Sequence, residues 1–169
     1  MGRQGAGGLG ARLRSIATVS RVSATVGYNV ASVLLAFGLG VYVGGAPRPP
    51  TLWIAGGYAA ATMFAKLQAS VADAIHDRAA DATNPEKNTI AAAVDTLGLR
   101  AAWALLGGYL VVAVVLYGAV ATIAGGWVLL AGAAVIGFGF TYSYPPRFKE
   151  RGVWNHVVTT GVDAGLLVL

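Results

Sequence analysis

Apolar residues fill this chain in five long blocks, each closed by a polar or helix-breaking stretch. The first covers residues 22–44 and exits at Pro47-Arg48-Pro49-Pro50. The second covers 51–76, is rich in alanine and carries Lys66 and Gln68. A polar stretch from Asp73 to Arg100 follows, with a turn signal at Asn84-Pro85. The third block covers 99–124, and Gly125-Gly126 makes a tight connection to the fourth, 127–144. Pro145-Pro146 ends that block, a charged loop follows with Arg147, Lys149, Glu150 and Arg151, and a fifth block runs over 153–169. A helix crossing a bilayer needs about 20 apolar residues. Backbone groups in lipid must be paired within the segment, and the period-2 alternation of a membrane β-barrel is absent. The expected fold class is therefore all-α, a multi-pass transmembrane helical bundle.

Composition agrees. The chain is 56% hydrophobic and 11% charged, with a mean hydropathy of +0.65, against about 25% charged in a soluble domain. There is no cysteine, which excludes disulfides and thiolate metal sites. The net charge of +5 does not point to nucleic acid, because the basic residues sit between the apolar blocks. Placing the amino terminus inside puts Arg3, Arg12, Arg14, Arg21, Arg78, Lys87, Arg100, Arg147, Lys149 and Arg151 on the cytoplasmic side and Arg48 alone outside. The positive-inside rule selects that orientation. Residues 1–20 then read as a basic, Gly-rich cytoplasmic tail. They are not a signal peptide, since the block behind them has 23 residues and no small-residue cleavage site. Trp53, Trp103, Trp127 and Trp154 lie near block ends, as interfacial aromatic belts do. The fifth block is still apolar at Leu169, the pattern expected of an amino-terminal piece of a longer protein.

The chemical signal is acidic. Three of the five aspartates are Asp73, Asp77 and Asp81. On a helix this spacing turns by only about 80° over the whole row and climbs about 6 Å per step. Three carboxylates then share one face at the cytoplasmic end of the second block. Such a row is costly near lipid, where ionisable groups are functional by default. Mg²⁺ would neutralise it, since that ion takes one or two carboxylates together with substrate phosphates. A solvated helix end, with His76, Arg78 and Lys87 as local partners, is the other reading of the same row.

The segment Asp73-Ala-Ile-His-Asp77-Arg-Ala-Ala-Asp81, followed by Ala-Thr-Asn84-Pro85-Glu-Lys87, resembles the first aspartate-rich motif of the UbiA superfamily of intramembrane prenyltransferases. That motif reads N-D-x-x-D-x-x-x-D. Asp77 and Asp81 fall on its two principal metal-linked aspartates, and Asn84-Pro85 falls on its Asn-x-Pro region with one residue fewer between. Asp73 stands where the family has Asn, Ala74 where it has the adjacent acid, and Lys87-Asn88 replaces the usual Arg-Pro. Tyr142-Ser143-Tyr144-Pro145-Pro146-Arg147-Phe148-Lys149 is similar to the family's Tyr-Ser-x-Pro-Pro loop after its fourth helix, with Tyr142 and Tyr144 both open as the motif tyrosine. The resemblance covers about residues 21–169, the first five helices of a nine-helix fold, and the family's second aspartate motif lies beyond it.

The resemblance implies Mg²⁺-dependent transfer of a prenyl group from a polyprenyl diphosphate to an aromatic or lipid acceptor. Asp77 and Asp81, with Asp73 assisting, would hold Mg²⁺ through the diphosphate, and Lys149 would act on the leaving group. Around them stand Arg21, Asn29, Lys66, Arg78, Asn84, Lys87, Tyr142, Tyr144 and Arg147 as candidate diphosphate or pocket residues. Lys66 lies seven residues before Asp73, on its face, and could pair with it. Asp163 is expected to face the bundle. Two rival readings remain. A CDP-alcohol phosphotransferase also uses an aspartate row with Mg²⁺, but its D-G-x-x-A-R signature is missing and Asp73 stands where it has Gly. A non-catalytic membrane subunit, such as a transporter component, would use the acidic row as a cation path, or a split half-enzyme would take the second motif from a separate partner.

Overall fold

Proline and glycine set the helix limits. The computed structural model describes residues 8–45 and 49–164, and these are helical throughout apart from short connections. Helix α1 covers Leu9–Val19, α2 Val22–Gly44, α3 Pro49–Asp81, α4 Asn88–Leu97, α5 Leu99–Ala124, α6 Trp127–Ser143 and α7 Val153–Ala164, with a 3₁₀ turn at Phe148–Glu150 before α7. Gly45, Gly98 and Gly125 end α2, α4 and α5 with φ of +81°, +80° and +101°, which residues with a Cβ rarely adopt. The extended Tyr144 closes α6 ahead of Pro145, which disfavours helix in the residue before it. Arg3, the Pro47-Arg48 exit, the Asp163 side chain and the end of the fifth block lie outside the described residues.

The elements differ from the sequence expectation in three places. Residues 9–19 are a helix rather than only a basic tail. The second block does not end at residue 76, because α3 runs on through an Ala- and Arg-bearing segment with good helix propensity to Asp81. The polar connection after it contains α4. Short helices such as α1 and α4 draw their stability from packing rather than from sequence-local preference. Here they pack against each other, and Val19 is buried with Ala93 and Val94.

Helix α3 is the centre of the bundle, flanked by α5, α6, α4 and α2. One apolar cluster gathers Val71, Ala72, Ala74, Ala102 and Leu106 at the end where the acidic row lies. A second gathers Tyr58, Ala61, Ala65, Ala113, Tyr117, Val128 and Val135 toward the other end. Thr62 Oγ1 and Tyr117 OH hydrogen-bond at 2.9 Å inside it. Two described helices, α2 and α5, are long and apolar enough to cross a membrane, and α6 is a shorter apolar helix. Among the described residues, these two of the five expected spans meet the length and apolarity of a span. Lys66, Gln68 and several Gly and Thr residues hold the hydropathy of α3 down.

Small residues let the helices approach. A Cβ added at Gly132 would lie 2.7 Å from ring carbons of Tyr117, whereas one added at Gly137 meets nothing within 4 Å. Gly132→Ala is therefore expected to destabilise the bundle by about 1–3 kcal/mol through overpacking. Gly137→Ala should leave stability within about 0.5 kcal/mol or raise it slightly. Thermal unfolding of the two variants in the same nanodiscs checks the contrast, and equal midpoints would contradict the packing described here.

Candidate functional site

Because α3 is unbroken to Asp81, Asp73, Asp77 and Asp81 stand on successive turns of one helix. Their surroundings differ. Asp73 is 8% exposed and collects three donors from three other parts of the chain. Arg21 Nη2 donates to its Oδ2 at 2.8 Å, and Ser143 Oγ and Lys149 Nζ donate to its Oδ1 at 2.6 and 2.9 Å. Asp77 accepts from Lys149 Nζ and lies 3.0 Å from His76 Nδ1. Asp81 is buried, its nearest cation is Lys87 Nζ at 4.0 Å, and its Oδ2 has no hydrogen-bond partner.

Local geometry delivers the cations. Arg21 sits between α1 and α2 in the left-handed region, with φ of +49°. That turn sets its guanidinium against α3. Arg147, also left-handed, follows Pro145-Pro146 and leads into the 3₁₀ turn that carries Lys149 back to Asp73 and Asp77. Two carboxylates thus meet two cations at one end of the bundle.

A groove of about 540 Å³ opens beside this cluster, between α2, α3, α6 and α7. Arg21 and Asp73 form its charged end. Ala24, Ala69, Gly139 and Val158 give it apolar walls, and Tyr28, Asn29, Lys66 and Tyr142 also line it. Lys66 Nζ lies over the Tyr28 ring, 4.9 Å from its centroid. Asn29 is 1% exposed, donates through Nδ2 to the Thr25 carbonyl, and leaves Oδ1 without a hydrogen-bond partner.

The structure brings Arg21, Asp73, Asp77 and Lys149 together and sets Asn29, Lys66 and Tyr142 along the groove. It does not bring in the rest. Arg78 pairs with Asp95 of α4, Arg147 with Glu150, and Asn84 Oδ1 accepts from the Glu86 backbone N–H. Tyr144 stacks on Phe140 and meets the His76 ring edge-on. Ser143, which has no assigned role in the sequence reading, is buried against Asp73. Its position inside the Tyr-Ser-Tyr-Pro-Pro segment was the available signal. Tyr28 and Thr25 were also missed, though they flank Asn29 as polar residues inside an apolar block.

Burial pushes the Asp77 carboxyl up, but the hydrogen bonds from Lys149 and His76 outweigh it and hold the group below its ordinary value. Burial likewise pulls the Lys149 ammonium down, and its hydrogen bonds to Asp77 and Asp73 outweigh that and hold it above the usual lysine value. The Asp77 contribution to stability is present above about pH 4, the unfolded value, and fades as pH falls through the lower folded one. The Lys149 contribution is present below about pH 10, and fades as pH rises through the higher folded value. Lys149→Met should therefore cost about 2 kcal/mol at neutral pH. Its unfolding midpoint should converge on that of the wild type at both pH extremes. A deficit that does not change with pH would contradict the ion-pair origin.

No protein family, no curated protein and no solved structure matches this chain.

Proposed function

We propose that this chain is a multi-pass membrane prenyltransferase of the UbiA type, with its amino terminus and charged loops in the cytoplasm. It would transfer a prenyl group from a polyprenyl diphosphate to an aromatic or lipid acceptor. The observation that carries the reading is the charge-balanced cluster of Arg21, Asp73, Asp77 and Lys149 at the end of a largely apolar groove. The groove volume falls in the range of about 300–1,000 Å³ typical of ligand sites. An anionic head with a long apolar tail is the ligand class that uses both parts.

Asp77 and Asp81 fit Mg²⁺ in donor chemistry. Both carry hard oxygen atoms a turn apart; those of Asp77 meet Lys149 and His76, and the buried Asp81 Oδ2 lacks a partner. Among the described residues no three His, Cys, Asp or Glu side chains converge on one point, and an ion that completes its shell with waters and substrate phosphates needs no such cage. When bound, Mg²⁺ would supply positive charge to offset the negative charge of a departing diphosphate. Arg21 and Lys149, now held by carboxylates, would turn to the diphosphate oxygens as it enters. Their charge then stabilises the leaving group as its bond to the allylic carbon breaks. Tyr142, which lines the groove, would offer a ring to the carbon that becomes cationic, and the apolar walls would hold the isoprenoid tail.

Thermal unfolding in nanodiscs tests this. A prenyl diphosphate with Mg²⁺ should raise the midpoint, with about 2.7 kcal/mol of protection at a hundredfold excess over Kd. A CDP-alcohol should not. Protection by the CDP-alcohol alone would favour the phosphotransferase reading.

A further inference from the structure

Helix α1 has a face that the bundle does not use. Ser15 and Val19 turn inward. Leu9 and Leu13 are 76% and 55% exposed. At 100° per residue, Leu9, Leu13, Ala17 and the half-buried Ile16 occupy one arc of about 100°. Arg12 and Arg14 flank that arc on its two sides, both exposed, and neither is ion-paired among the described residues. The neighbouring helix α4 is different. Its exposed positions are Asn88, Thr89, Ala92, Asp95 and Thr96, a polar face suited to water.

Position supplies the second observation. Only Ser20 and Arg21 separate α1 from α2, one of the two helices able to cross a membrane. Helix α1 therefore lies where that helix leaves the bilayer. An apolar arc between two arginines, held at that level, is the pattern of a helix lying in the membrane interface. The arginines complement anionic headgroups, each contributing about 1 kcal/mol near such a surface.

We infer that α1 is an interfacial anchor that docks on the anionic phospholipid leaflet beside α2, with Leu9 and Leu13 below the headgroups and Arg12 and Arg14 among them. The inference rests on the membrane reading of α2 and is independent of prenyl transfer. Docking also bears on the groove. Ser20 bonds Tyr109 at 3.0 Å and Arg21 bonds Asp73, so the end of α1 is tied to the charged cluster.

The chain has no cysteine, so single-cysteine labelling is clean. An environment-sensitive fluorophore is placed on Leu13→Cys, on Ala92→Cys and on Leu35→Cys of α2, each in the whole chain in nanodiscs carrying spin-labelled lipid. The Leu13 label is expected to be quenched at interfacial depth in discs containing phosphatidylserine and the Ala92 label is not. Arg12→Gln with Arg14→Gln should weaken docking roughly 30-fold, as should high salt, while Arg12→Lys with Arg14→Lys retains it. The Leu35 label, quenched by the acyl-chain probe throughout, reports insertion of α2. An unquenched Leu13 label beside a quenched Leu35 label overturns the anchor and leaves the membrane reading intact. Quenching that is equal in phosphatidylcholine discs and indifferent to the arginines overturns the anionic docking, and quenching that follows the number of chains per disc assigns the face to a second copy.

Discussion

Asp77→Asn should lower Mg²⁺-dependent prenyl transfer by about two to three orders of magnitude, the loss seen when one preorganised electrostatic group is removed from a reacting site. Asparagine has nearly the same shape, so little repacking follows. Lys149 keeps its hydrogen bond to Asp73, which holds the loop against α3. The change therefore removes charge from the site while leaving the bundle folded. Asp81→Asn should act similarly, because its Oδ2 is the carboxylate oxygen of the row left without a hydrogen-bond partner and open to a metal ion. Asp95→Asn is the control, since Asp95 is an exposed partner of Arg78 on α4. Transfer is measured in membranes bearing the protein and normalised to folded protein. Wild-type rates for Asp77→Asn and Asp81→Asn would remove the carboxylates from the chemistry.

The second large effect is on stability. Asp73→Ala should cost about 3 kcal/mol. Removing one member of a buried ion pair costs about 3–5 kcal/mol because the partner charge is left uncompensated. The lower figure applies here because Arg21 retains 35% of its side-chain exposure and Lys149 retains Asp77. The loss is larger than for a surface pair, near 0–1 kcal/mol, because Asp73 ties three distant segments at once. Asp73→Asn keeps one acceptor but not the charge, and should cost nearly as much. Denaturant titration in nanodiscs checks both. A loss below about 0.5 kcal/mol for Asp73→Ala would place the three donors outside the forces that hold the bundle.

Hydropathy located α2 and α5 to the residue, because each is an apolar run closed by Arg or Gly. It located α6 nearly as well, since Pro145 stops it. It failed at the end of α3, where the apolar residues stop but the helix-forming ones do not. Helices α1 and α4 were invisible for another reason: each is short, and the burial of Val19 against Ala93 and Val94 that sustains them joins residues far apart in sequence. The same limit applied to the site. The spacing of Asp73, Asp77 and Asp81 was legible from helical periodicity alone. What surrounds them was not, because Arg21, Ser143 and Lys149 reach Asp73 across 52, 70 and 76 residues. His76, Arg78 and Lys87 were legible as local partners of the row. In the structure they reach Asp77, Asp95 and Asp81 respectively.

A photoreactive isoprenoid diphosphate, crosslinked in nanodiscs and mapped by mass spectrometry, asks where the tail and head lie. The proposed site predicts adducts on groove residues such as Tyr28, Asn29 and Val158. They should require Mg²⁺, be displaced by unlabelled prenyl diphosphate, and be lost in Asp77→Asn. Adducts confined to exposed positions such as Leu34 and Leu35 of α2, with or without Mg²⁺, would contradict it.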